Sequence, residues 1–137
     1  MSDAQDQELL REAWAVLERS YSPYSKMRVG AVLETADGRR FSGCNVENAS
    51  FGLTICAERS AIASAVSSGV REFATIAIVS DADAPLMPCG ACRQTLLEFA
   101  PDLRVLIEAK NGECVATTIG ELLPHSFRPD DLERRDG

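Results

Sequence analysis

The chain has 137 residues, 45% of them apolar, which suits one buried core and leaves too little for two domains. A net charge of -7 with scattered basic residues excludes the concentrated positive surface that a nucleic acid polymer needs. No run approaches the roughly 18–20 unbroken apolar residues of a membrane helix, and the acidic start through Glu8 lacks a secretory pattern, so a cytoplasmic protein is expected. Five cysteines, an odd number, fit that reducing compartment better than a disulfide framework. Asn48-Ala49-Ser50 is there a chance match to a glycosylation acceptor.

In chain order, Leu9, Leu10, Ala13, Trp14, Val16, Leu17 and Tyr21 recur at helical spacing and predict an amphipathic helix over 9–21, with Ser2 or Asp3 as upstream cap. The Trp14 stripe is read as core packing. Ser22-Pro23-Tyr24-Ser25 breaks this helix, and two strand-like runs follow, 28–35 and 40–44, joined by an Asp37-Gly38 hairpin turn. A polar loop over 45–54 leads to a helix at 56–68, whose Ala57, Ala61, Ile62 and Ala65 give a small-residue face and which Gly69 stops. The nearly continuous apolar run 74–79 predicts a strand buried on both faces. Residues 81–88 lead into a third helix at 89–99, ended before Pro101. The strands 103–109 and 114–118 are too closely spaced for a parallel crossover and should pair antiparallel. A short helix at 119–123 precedes Pro124. This order predicts a five-stranded mixed sheet between helical layers, one domain over 1–127, and a charged tail over 128–137 that frays. Neither an internal repeat nor a low-complexity segment is present.

Two segments carry the chemistry, Cys56-Ala57-Glu58 and Pro88-Cys89-Gly90-Ala91-Cys92. Each cysteine falls at or within the first turn of a predicted helix, where unpaired N–H groups and the positive end of the dipole favour a thiolate. Three protein ligands leave the fourth position of a tetrahedral zinc to water, which distinguishes a catalytic site from a closed structural one. Water bound there, with a pKa near about 7, is a nucleophile at neutral pH. Three thiolates leave a net negative shell, and Arg59 with the two helix N-termini supplies the offsetting charge. Glu58, two residues after Cys56, does not share the cysteine's direction on a helix but is within reach of a substrate beside the metal. Cys89 and Cys92 alone would also suit a redox pair or half of a structural zinc knuckle; the upstream Cys-Ala-Glu favours catalysis. Cys44 and Cys114 lie on predicted strands and are expected to be small buried hydrophobes. His125, after Pro124, reads as a solvated loop residue.

With these motifs the chain resembles the cytidine deaminases of the small, single-domain, three-cysteine type. The resemblance runs from about residue 13 to 127 and is carried by Tyr24-Ser25-Lys26, Val29-Gly30-Ala31, Gly43-Cys44-Asn45-Val46-Glu47-Asn48-Ala49, Cys56-Ala57-Glu58-Arg59, the stretch from Pro88 to Gln94, and Glu121-Leu122-Leu123-Pro124. It implies a three-layer α/β/α fold, a Zn²⁺ cofactor, and hydrolysis of cytidine and 2′-deoxycytidine to the uridine products and ammonia, a reaction of pyrimidine salvage. In that scheme metal-activated water attacks C4 of the base while Glu58 protonates N3 and then the departing amino group. Asn45 and Glu47 occupy the family's ribose-binding positions. Phe127 matches an aromatic that reaches into a neighbouring subunit's site, within an implied homotetramer. Met27 stands where such enzymes usually place Phe against the base, and Phe51 where they often have Tyr; a thioether still covers an aromatic ring but selects shape less sharply.

Other readings stand beside this one. Asn45 and Glu47 would also suit turn stabilisation, and Met27 and Phe51 would suit plain core. The Met27 departure suggests a deaminase for a modified cytosine nucleoside, such as a blasticidin-type antibiotic. From another class, a structural zinc module that binds a protein partner requires a fourth ligand, which neither motif supplies, and it has no use for Glu58.

Overall fold

Runs that are apolar at nearly every position become central strands, and mixed runs become edges. The computed structural model describes residues 4–133, in which α1 (Ala4–Leu17), β1 (Val29–Glu34), β2 (Arg40–Cys44), α2 (Ala57–Ser67), β3 (Thr75–Ser80), α3 (Gly90–Phe99), β4 (Arg104–Ala109), β5 (Cys114–Thr118), α4 (Ile119–Leu122) and α5 (Pro129–Glu133) follow in order. One sheet forms in the order β2-β1-β3-β4-β5. Every residue of β3 is buried, whereas β2 and β5 at the edges are mostly half-exposed. Both hairpins are antiparallel, β1 also runs antiparallel to β3, and β3 and β4 are parallel, joined over the sheet by α3. The mixed sheet expected from the element order is the one that forms.

Strand alternation then sorts the side chains into two cores. Ala31, Leu33, Ile76, Ile78, Val105 and Ile107 face the layer of α2, α3 and α4. Val32, Ala77, Val79 and Leu106 face α1, which covers them with Leu9, Leu10, Ala13 and Leu17. Helices thus lie on both faces of the sheet, giving three layers. Two glycines set how closely they lie. A Cβ on Gly43 would come within 2.6 Å of the α2 backbone at Ala57 O and Ala61 N, and one on Gly30 within 2.3 Å of Ala13 O in α1. Only the bare backbone lets these helices seat.

Three expectations change. The first helix begins and ends earlier than 9–21 because tertiary partners recruit its polar start: Asp6, 6% exposed, pairs with Arg104 at 2.7 Å, and Arg40 bridges Glu8, Glu12 and Glu34. At the other end Tyr21 leaves the helix for a bridge with Val46, its N–H donating to Asn45 O at 3.0 Å, and its ring is exposed. The proposed caps Ser2 and Asp3 lie outside the described residues. Cys114 is exposed and Cys44 half-buried rather than buried, because both sit on edge strands. Residues 129–133 of the charged tail, where fraying was expected, form a short helix, with Arg128 N donating to Asp131 Oδ2 at 2.8 Å. No helix among the described residues is long and apolar enough to cross a membrane.

Candidate active site

Three strand ends meet at one end of the sheet: Gly30 at the start of β1 pairs with Cys44 at the end of β2, and Val29 pairs with Ser80 at the end of β3. From there residues 45–56 lead to α2 and residues 81–89 to α3, so both helices start at the same place. Cys56 is the N-cap of α2 and Cys89 the N-cap of α3, both with extended backbone, and neither spends its side chain on capping. Cys92 follows in the first turn of α3, fully buried. The three Sγ atoms lie within 4.8 Å of one another, Cys56 and Cys89 being 4.0 Å apart. A tetrahedron with zinc–sulfur bonds of about 2.3 Å has an edge of about 3.8 Å. The donor set therefore fits zinc in softness, number and spacing. None of the cysteines forms a disulfide among the described residues.

One cation lies against the sulfurs. Arg59 Nη2 lies 3.6 Å from Cys56 Sγ, while its Nε is buried without a hydrogen-bond partner among the described residues. Hydrogen bonding from Cys92, together with Arg59, draws the Cys56 pKa down to about 5. Cys92 moves the other way, because its thiol keeps its proton in a hydrogen bond to the Cys56 sulfur and its site is buried. Ligation of a metal removes that shared proton. Glu58 is 5% exposed, and burial, reinforced by the negative Cys56 sulfur, pushes its carboxyl above the ordinary carboxylate range.

Cys56, Cys89 and Glu58 line a cavity of about 260 Å³. Val29, Ile78, Leu86 and Met87 form its apolar walls, and Asn45 and Thr54 its polar side. Thr54 also lines an adjoining hollow of about 380 Å³, whose other walls are Tyr24, Ser25, Glu47 and Phe51. Tyr24 and Phe51 meet there edge to face, with centroids 6.2 Å apart.

Asn45 is nearly buried, and most of its amide is committed. Its Oδ1 accepts from Val29 N at 2.9 Å and from the Ser20 hydroxyl, and Nδ2 donates to Met27 O at 2.8 Å, which leaves one N–H for a ligand. The Glu47 carboxylate accepts from the backbone N–H groups of Tyr24 and Ser25 and from the Ser25 hydroxyl, and that hydroxyl bond is the first cause of its lowered pKa. Both residues therefore serve the loop as well as facing the cavities.

The fold brings Cys56, Cys89, Cys92, Glu58, Arg59 and Asn45 together and places Glu47 and Phe51 in the adjoining hollow. Met27 is half-buried beside them, shaping the site through its backbone, and Phe127 is 57% exposed, its carbonyl accepting from Gln94 at 2.7 Å. His125 lies in an exposed loop at φ 52. Sequence reasoning missed the walls Val29, Ile78, Leu86, Met87 and the polar Thr54. Val29 and Ile78 look like ordinary strand core, but Leu86-Met87, two apolar residues just before Pro88 in a connecting loop, was a readable signal.

The family model described as the cytidine and deoxycytidylate deaminase zinc-binding region matches residues 3–108. A cytidine deaminase of Halalkalibacterium halodurans is 45% identical over 127 residues, 92% of this chain and 96% of the relative. One from Sporosarcina psychrophila is 43% identical over 127 residues, 92% and 93% of the two chains. Among solved structures, cytidine deaminase from Burkholderia pseudomallei superposes with a TM-score of 0.87 at 47% identity, covering 93% of this chain and all of that one.

Proposed function

The chain belongs to the zinc-dependent cytidine and deoxycytidylate deaminase family, and from that premise we propose that it hydrolyses cytidine and 2′-deoxycytidine to uridine and 2′-deoxyuridine with release of ammonia. One observation carries this reading: three cysteine sulfurs lie within 4.8 Å of one another, and two of them, Cys56 and Cys89, line with the buried Glu58 a cavity large enough for a pyrimidine.

Zinc held by Cys56, Cys89 and Cys92 supplies the acidity that makes water a nucleophile near neutral pH. The remaining work belongs to side chains. Glu58 takes a proton from the attacking water and delivers it to N3 of the base, then takes the proton of the new C4 hydroxyl and passes it to the amino group, which leaves as ammonia as the C4 carbonyl forms. Its burial suits this exchange, because a carboxyl whose pKa is raised by desolvation holds a proton more readily than an exposed one. Arg59 offsets the charge of the sulfur cluster from Cys56 outward. Val29, Ile78, Leu86 and Met87 clasp the flat base and exclude bulk water. The remaining N–H of Asn45 and the Glu47 carboxylate hydrogen-bond the ribose 3′-hydroxyl, and Met27 contacts the base.

The finer reading is a cytoplasmic enzyme of pyrimidine salvage, a single domain through residue 127, acting as a homotetramer in which Phe127 completes a neighbour's site. Support for assembly comes from Phe51, Leu53 and Phe127, all more than half exposed. The test is a single purified sample assayed for zinc content, for mass by light scattering, and for ammonia release from cytidine, 2′-deoxycytidine and blasticidin-type nucleosides. About one zinc per chain with turnover of cytidine supports the proposal; turnover of the antibiotic alone, or none of any nucleoside, overturns it.

A further inference from the structure

We propose that Arg93 is a positioning residue for the metal site, its guanidinium pinning the peptide that precedes ligand Cys89 to the returning end of α4. The inference rests on the zinc reading above.

Of the three ligands Cys89 has the least support from the fold. Cys92 is fully buried inside α3, and Cys56 is half-buried beside Arg59, whereas Cys89 is exposed at the end of a loop. That loop is tied down where it starts, by Asp81 N to Arg28 O at 3.1 Å and Lys110 N to Ala82 O at 3.2 Å. Pro85 and Pro88 then remove two backbone donors. Among the described residues, the backbone between Asp83 and Pro88 takes one hydrogen bond, from Arg93 Nε to Pro88 O at 2.8 Å. The same guanidinium donates through Nη1 to Leu122 O at 2.7 Å, and Leu122 packs against the main core. Arg93 thus anchors the last peptide before Cys89 to a part of the fold that is packed on the main core.

Two carbonyls met at once require a planar fork. A lysine ammonium, a point donor on a flexible stem, holds one of them but not both in fixed geometry. An arginine that only satisfied the end of α4 would need the Leu122 contact alone; the Pro88 contact is the one that bears on the metal.

The test compares full-length wild type with Arg93→Lys and Arg93→Gln, each loaded with zinc. Three readouts are taken: the rate of zinc transfer to a chromophoric chelator, the thiolate-to-metal absorption of the cobalt-substituted proteins, and the melting temperature of the metal-free forms. Outer groups that orient ligands typically contribute 10- to 100-fold to metal affinity. The expected result is zinc release about 10- to 100-fold faster, fastest for Arg93→Gln, with a shifted cobalt spectrum and metal-free melting close to wild type. Release within twofold of wild type overturns the proposal, as does faster release matched by an equal loss of metal-free stability. If Arg93→Gln does not fold, Arg93→Lys decides alone. Zinc in the wild type with unchanged variants sinks only this proposal; wild type that takes up no zinc sinks the metal reading with it.

Discussion

At the scale of single residues, the protein asks side chains to hold chemistry and structure together. Glu58 lies outside the sulfur cluster, so Glu58→Ala should retain zinc and fold while losing about 10²–10⁴-fold in cytidine turnover, the usual range for a positioned proton carrier. Steady-state kinetics with metal content on the same sample checks this, and unchanged turnover removes Glu58 from the reaction. Asn45 is a mixed case. Its amide satisfies Val29 N and Met27 O in a nearly buried place, so Asn45→Ala strands two backbone groups at about 1–3 kcal/mol each, in addition to any lost contact with ribose. The expected result is a lower melting temperature together with a raised KM. A raised KM at unchanged stability would show that the amide serves the ligand alone.

Elements act through how closely they pack. Gly43 lets α2 lie against β2, and α2 carries both Cys56 and Glu58 at its start. Gly30 plays the same part for α1, which carries no site residue. Alanine at either position drives a methyl into helix backbone, an overpacking that typically costs about 1–3 kcal/mol. The outcomes should differ in kind. Gly43→Ala is expected to lose stability, zinc retention and kcat together, whereas Gly30→Ala loses stability with kcat and zinc content per folded molecule preserved. Denaturant titration with metal analysis separates the two, and equal loss of kcat in both would mean that the α2 seating has no special bearing on the site.

Over the whole molecule, the two cores rest on the sheet while the sulfur cluster sits at one end of it. Stripping zinc with a chelator should therefore leave the far-ultraviolet circular dichroism nearly unchanged but lower the melting temperature, since a metal that binds only the folded state stabilises it. Collapse of the spectrum on chelation would show that the metal organises the fold itself. The loop behind Cys89 begins at Asp81, bonded to Arg28 Nε at 2.8 Å, and that hydrogen bond with the guanidinium charge holds its carboxyl below the ordinary 3.8. As pH falls the unfolded chain takes up this proton first. The stabilisation is thus complete above about pH 4 and drains away as pH drops through that value to the lowered one. Asp81→Asn should flatten the acid limb of a melting-temperature profile below about pH 4, and an unaltered limb would leave the pair without weight in acid stability.

What the sequence determined by itself was whatever depends on neighbours along the chain. Apolar runs placed the five strands and period-3.6 spacing the first helix, the Asp37-Gly38 turn fixed one hairpin, and the two cysteine motifs marked the three sulfurs that the fold gathers because each motif is completed within five residues. Tertiary structure decided what depends on partners far apart. The polar start of α1 became helix because Asp6 meets Arg104, 98 residues away, and edge position exposed Cys114 where strand pattern alone implied burial. Leu86 and Met87 became cavity walls, and Asn45 became a brace for Val29 and Met27, once the ends of β1, β2 and β3 were brought to one side. Local patterns encode which face of an element is apolar, but not which polar group will stand opposite when the faces close, since that depends on the register and layering of the whole sheet.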